Sequence, residues 1–226
     1  MKAIRSRSTR TAHAGRVQAW NWADQVRAAA CTLTVFVALA LMAVWARAAT
    51  GEPQGHVHTM PPETSRSVAD YKVPMVHLVR DDGRKVVLAD ELDDGRPVVL
   101  DFVYTSCTSI CPITSQTLSE LQRRLGSARD QVHIVSISLD PEQDTPRRLH
   151  DYASKFGAGP EWQHYTGSLA GILATEQAFG VYHGDKMSHT PVTLLRMSPQ
   201  GRWIRIDGFA TPEQLLAELR PVVASR

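Results

Sequence analysis

Cysteine is scarce in this chain, with three residues in 226: Cys31, Cys107 and Cys111. So few thiols exclude a disulfide-stapled scaffold and leave folding to an apolar core, which a chain 43% hydrophobic can build. No internal repeat is visible, so solenoids and arrays are excluded. Net charge is also small, a formal +2, but this balance hides an asymmetry. Residues 1–49 carry seven Lys/Arg and a single acid, Asp24, whereas the rest holds 18 Lys/Arg against 22 Asp/Glu, a net of −4. The basic residues therefore concentrate in a leader, and nothing in the remainder suggests nucleic-acid binding.

Long apolar runs are absent except for Ala28 to Ala46, 19 residues without a charge. At 1.5 Å per residue a helix of that length spans roughly 28 Å, close to a bilayer core of ~30 Å. A basic leader before such a run reads as a signal anchor or a secretory signal, and Ala46-Arg47-Ala48 resembles a cleavage site. Four segments are expected: a basic cytoplasmic leader over 1–27, a transmembrane anchor or signal segment over 28–49, a linker over 50–70 and a folded domain over 71–226. The domain would face the periplasmic side of a bacterial-type inner membrane, tethered to it, or be exported and soluble if the segment is removed. Cys31 lies inside the apolar run and is read as inert there.

The domain shows short strand candidates at Val76–Arg80 and Lys85–Leu88 around the turn Asp81-Asp82-Gly83. Pro97–Tyr104 and Val132–Leu139 are nearly continuous apolar runs, as in central strands covered on both faces. Leu118, Leu121 and Leu125 mark a helical face that Gly126 ends. Thr145-Pro146 reads as the cap and first turn of a helix reaching about Phe156. A helix fits Leu169–Phe179, strands fit Pro191–Met197 and Arg202–Ile206, and a last helix fits Pro212–Val222. The expected fold is α/β: a thioredoxin-like mixed sheet flanked by helices, with an added N-terminal β-hairpin.

Cys107 and Cys111 stand four apart where a strand gives way to a helix, which predicts both sulfurs on one helical face. A thiol there feels the positive end of the helix dipole, which favours the thiolate that both nucleophilic attack and metal binding require. In an oxidising compartment such a pair closes to a disulfide unless it is kept reduced or occupied by a metal. His189, just before a strand, faces the dithiol loop in a thioredoxin-like layout. Two thiolates and an imidazole suit Cu(I) or Cu(II) and also accept zinc. Asp140-Pro141-Glu142-Gln143-Asp144-Thr145-Pro146 follows the second central strand. It has two readings: a turn with a helix cap, or acids that attract a cationic partner or tune a metal. His56, His58 and Met60 lie in the linker, as chance residues or as a flexible metal pick-up site. His183 is a secondary candidate.

These motifs resemble the SCO/SenC family of thioredoxin-like, membrane-tethered copper proteins. The resemblance covers about residues 70–224. It rests on Phe102-x-Tyr104-Thr105-x-Cys107-x-x-x-Cys111-Pro112, on Ser138-Leu139-Asp140-Pro141-x-x-Asp144-Thr145-Pro146, and on His189. It implies that Cys107, Cys111 and His189 bind one copper ion. It further implies delivery of copper to the CuA site of an oxidase subunit during cytochrome c oxidase assembly, or reduction of that site's cysteines. A periplasmic copper donor or thiol reductant would be a second partner. One departure stands out: family members commonly carry an Asp before the ligand His, and Ser188 stands here. Thr190-Pro191 resembles instead the cis-proline of redox-active thioredoxin-like proteins. The alternative is therefore a thiol-disulfide oxidoreductase in which Cys107 attacks and Cys111 resolves. A peroxiredoxin-like peroxidase is disfavoured, because Val103-Tyr104-Thr105 occupies the region where the residues preceding a peroxidatic cysteine are expected.

Overall fold

The computed structural model describes residues 64–223, with side chains as far as Arg220 and Pro221. The leader, the apolar segment with Cys31, and the linker histidines with Met60 lie outside the described residues. The domain is built on a mixed eight-stranded sheet, in spatial order β1 (Ser65–Ala69), β8 (Trp203–Asp207), β7 (Val192–Arg196), β4 (Val98–Val103), β5 (His133–Ser138), β6 (Trp162–Gly167), β2 (His77–Arg80) and β3 (Lys85–Val87). Its central strands are β4 (Val98–Val103) and β5 (His133–Ser138), paired in parallel and buried at every position. That is why both read as unbroken apolar runs and not as alternating ones. Strand β6 (Trp162–Gly167) joins β5 in parallel, and β7 (Val192–Arg196) flanks β4 antiparallel. The expected hairpin is present as β2 (His77–Arg80) and β3 (Lys85–Val87), docked antiparallel on β6.

Helices cover both faces. On one, Val99, Ile134, Trp162 and Leu195 pack with Leu118 and Leu121 of α2 (Ile110–Leu125) and Leu215 and Leu219 of α5 (Pro212–Val223). On the other, Leu100, Phe102, Ile137 and Leu194 meet Leu88 and Leu92 of α1 (Leu88–Leu92), Ile172 of α4 (Leu169–Ala178), and Phe179. Helix α3 (Pro146–Lys155) starts as expected, with Thr145 Oγ1 accepting from the Arg148 N–H at 3.3 Å and Pro146 at the first helical position. Gly126 closes α2 at φ +55°, a conformation that glycine adopts without strain.

The structure corrects three expectations and gives the isomer of one open peptide bond. The linker ends before residue 65, because β1 (Ser65–Ala69) pairs antiparallel with β8 (Trp203–Asp207) at the sheet edge. The strand expected over Lys85–Leu88 stops at Val87, where the short α1 begins. Helix α2 starts only at Ile110, so Cys107 precedes the helix and the two sulfurs do not share a helical face. The Thr190–Pro191 bond is trans, since no peptide among the described residues is cis.

Candidate metal centre

The centre is assembled from the end of β4 and the start of α2. After Val103 the chain turns through Tyr104, whose carbonyl accepts the Cys107 N–H at 3.1 Å. This turn aims the Cys107 sulfur back at the helix, where it accepts the Cys111 N–H at 3.3 Å. A helix leaves its first amides without internal partners, and the sulfur takes one of them. Both cysteines are free thiols, Cys107 buried near the surface and Cys111 in the core.

Their environments push them apart. Burial works against ionising Cys107. It is outweighed by hydrogen bonds from the Cys111 N–H and thiol, the Ser109 N–H and the Tyr104 hydroxyl, which bring its pKa down to about 7. Burial instead drives Cys111 far up, and the neighbouring Cys107 adds to the effect. Cys107 is thus the thiolate-prone nucleophile or first ligand, and Cys111 a buried, protonated partner.

Asp144 organises the loop from below. This buried carboxylate accepts the Thr105 N–H at 3.1 Å, the Thr105 hydroxyl, and the Ser138 hydroxyl at 2.7 Å. Asp140 reaches the opposite way, to Lys186 Nζ at 2.5 Å, and the Lys186 ammonium also lies 5.9 Å from the Tyr104 ring centre. The two acids of one motif therefore fasten two different segments, the Cys107 loop and the turn Lys186–Ser188 that precedes His189. The structure supports the turn-and-cap reading and adds this bracket to it.

His189 is buried beside Phe102, with ring centres 6.5 Å apart, and its Nδ1 has no hydrogen-bond partner. Burial depresses its pKa to about 4, assisted by His183 and opposed by a main-chain contact with Phe102, so the imidazole is neutral, the form in which it binds metal. A neutral ring with an unpaired buried nitrogen and two sulfurs, one of them thiolate-prone, is a donor set that fits copper. The three are not gathered into a ready cluster. Among the described residues no group of three or more His, Cys, Asp or Glu side chains stands close enough to hold an ion. No acid precedes His189 to orient it, and Ser188 takes that place.

Fold and site together define a thioredoxin-like domain bearing a reduced, electrostatically polarised dithiol. The SCO1/SenC family profile matches residues 67–224, and the chain belongs to that family. A SCO1 homologue of Bacillus subtilis is 32% identical over 99 residues, 43% of this chain and 50% of its own length. Mitochondrial SCO1 homologue 1 of Arabidopsis thaliana is 28% identical over 142 residues, 58% of this chain and 40% of its own. The chain thus spans about half the length, or less, of these relatives. Copper-bound ScoI of Bradyrhizobium japonicum is similar in structure, with TM-score 0.55 and 28% identity, over 69% of this chain and 99% of that one.

Sequence reasoning singled out Cys107, Cys111 and His189 but missed what Tyr104, Asp144 and Met187 do. The signal for Asp144 was its spacing from the strand end. That signal fitted a turn equally well, because the partner, Thr105, lies 39 positions away.

Proposed function

We propose that the protein is a membrane-tethered copper carrier of oxidase assembly, taking one copper ion on Cys107, Cys111 and His189. The observation that carries this reading is a polarised dithiol and, on a separate segment, a neutral, buried histidine whose Nδ1 is unpaired. The copper-bound relative of the same fold supports it. Copper is cargo in this reading, and a site that is not preassembled suits a carrier: the His189 segment closes on the thiols to hold the ion and opens to release it. The acceptor is the CuA site of an oxidase subunit, and the domain works on the periplasmic side of an inner membrane, held there by residues 28–49. Copper titration of the reduced protein tests the reading. One equivalent should bind to wild type, Cys107→Ala should lose it, and His189→Ala should lose it or hold it with altered spectra. Identical copper content in wild type and Cys107→Ala would sink the proposal.

The split between the thiols favours a second reading, reduction of an exported partner. Cys107 thiolate attacks the partner's disulfide, and one partner sulfur leaves as thiolate. Cys111 then gives up its proton and displaces the other, so two electrons pass to the partner and a Cys107–Cys111 disulfide remains. A mixed disulfide trapped by Cys111→Ser would support it. The trans Thr190–Pro191 bond lends this reading no support.

A further inference from the structure

Met187 is 70% exposed, as is Met75 among the described large apolar residues, and Met187 alone of the two sits two residues before His189. Its backbone is tethered. The Met187 N–H donates to Asp185 Oδ1 at 2.9 Å, and Lys186, its neighbour, is tied to Asp140. The Tyr104 hydroxyl donates its single hydrogen to the Met187 sulfur at 3.6 Å or, in the alternative, to the Cys107 sulfur. One phenol therefore stands between two soft donors on different segments. With Cys111, the three sulfur-bearing residues are graded in exposure, Met187 at 70%, Cys107 at 7% and Cys111 at 0%. Core packing does not explain a thioether on the outside of this series, and thioether and thiolate sulfur are the donors that select Cu(I).

We propose that Met187 and Cys107 form an outer capture site for Cu(I), from which the ion passes inward to Cys111 and His189. This rests on the copper-carrier reading and adds a ligand and a direction to it. Cu(I) arriving from solvent exchanges a donor ligand for the Met187 thioether. Cys107 binds as thiolate, its proton going to solvent, and the Tyr104 hydroxyl gives up its hold on the Met187 sulfur. Cys111 then binds as thiolate, its proton passing to solvent, and displaces the Met187 thioether, and His189 joins as a neutral ligand, so the inward step is a ligand exchange without any change in oxidation state.

The test uses the full reduced chain labelled with selenomethionine and carrying Cys111→Ser, which arrests the ion at the outer pair. After addition of one equivalent of Cu(I) as its acetonitrile complex, selenium-edge X-ray absorption should show a copper neighbour that disappears when Met187→Leu is added. With both thiols intact, Met187→Leu should slow Cu(I) capture about tenfold, the scale on which loss of one supporting group alters a metal site. Uptake of Zn(II), which draws little on thioethers, should be unchanged. Absence of the copper neighbour, or a capture rate equal to wild type, overturns the assignment of Met187. Failure of the wild-type chain itself to bind Cu(I) is a different result and overturns the carrier reading beneath it.

Discussion

Replacing Asp144 with alanine separates the two meanings of the Asp140–Pro146 motif. The carboxylate satisfies three donors, the Thr105 N–H, the Thr105 hydroxyl and the Ser138 hydroxyl, in a place almost without solvent. Each buried donor left unpaired costs about 1–3 kcal/mol. The two hydroxyls can rotate toward other acceptors, whereas the Thr105 amide is fixed by the backbone. A loss of about 3 kcal/mol is therefore expected, or roughly 6–12 °C in melting temperature for a domain of this size. Thr145→Ala removes only a helix cap, worth about 1 kcal/mol. The assay is paired thermal and urea denaturation of both variants, together with the pH dependence of Cys107 alkylation. Because Thr105 anchors the turn that aims Cys107 at the helix, Asp144→Ala should also move the alkylation midpoint up from about 7 toward 9. Thr145→Ala should not. If Asp144→Ala proves no more damaging than Thr145→Ala and leaves the thiol's titration where it was, the bracket is wrong and the motif is a turn and cap alone.

Further outcomes follow from the buried ionisable groups. In the wild-type reduced protein, iodoacetamide should label Cys107 with a rate that rises through pH about 7 while Cys111 stays unlabelled; a first labelling midpoint near 9 would contradict the geometry. Asp101, buried on β4 and bonded by the Ser136 hydroxyl, is raised to about 7, with desolvation the main cause. Between about pH 4 and 7 the folded state holds a proton that the unfolded state releases, so Asp101 makes stability fall as pH rises, by about 1.4 kcal/mol per unit. His164, with neither ring nitrogen paired, is depressed to about 3 by burial and makes stability fall as pH drops from about 6.5. The two slopes oppose each other. Relative to wild type, Asp101→Asn should lose stability more steeply on acidification and His164→Gln less steeply, as read by urea midpoints from pH 4 to 6.5. Parallel curves for all three proteins would refute both assignments.

What could be read from the sequence follows from how each element is stabilised. Strands β4 and β5 announced themselves because burial on both faces demands uninterrupted apolar residues. Helix α3 did so because Thr145 and Pro146 are chemically suited to a helix start. Strand β1 is Ser-Arg-Ser-Val-Ala, almost wholly exposed, and it holds its place through main-chain pairing to β8, which leaves no side-chain pattern to find. Strand β6, Trp-Gln-His-Tyr-Thr-Gly, buries a histidine and a threonine that local reasoning assigns to surface. The row Asp101, Ser136, His164 explains it. The three are cross-strand neighbours in register on β4, β5 and β6, a polar line that exists only once the sheet is formed. At the centre, the residue types were legible and the path was not. Four-residue spacing implied a shared helical face, but the chain reaches Cys107 through a turn ahead of the helix.

That turn makes the Cys107 sulfur the acceptor for the Cys111 amide, so sulfur chemistry and helix integrity share one bond. Metallation, alkylation or disulfide closure at Cys107 each withdraws electron density from this acceptor and weakens the start of α2. The Cys111 amide is consequently a built-in gauge of the state of the centre. Its exchange with solvent deuterium should be slowest with the free thiolate and quicken whenever the sulfur is engaged elsewhere, a signal available without colour, metal or partner.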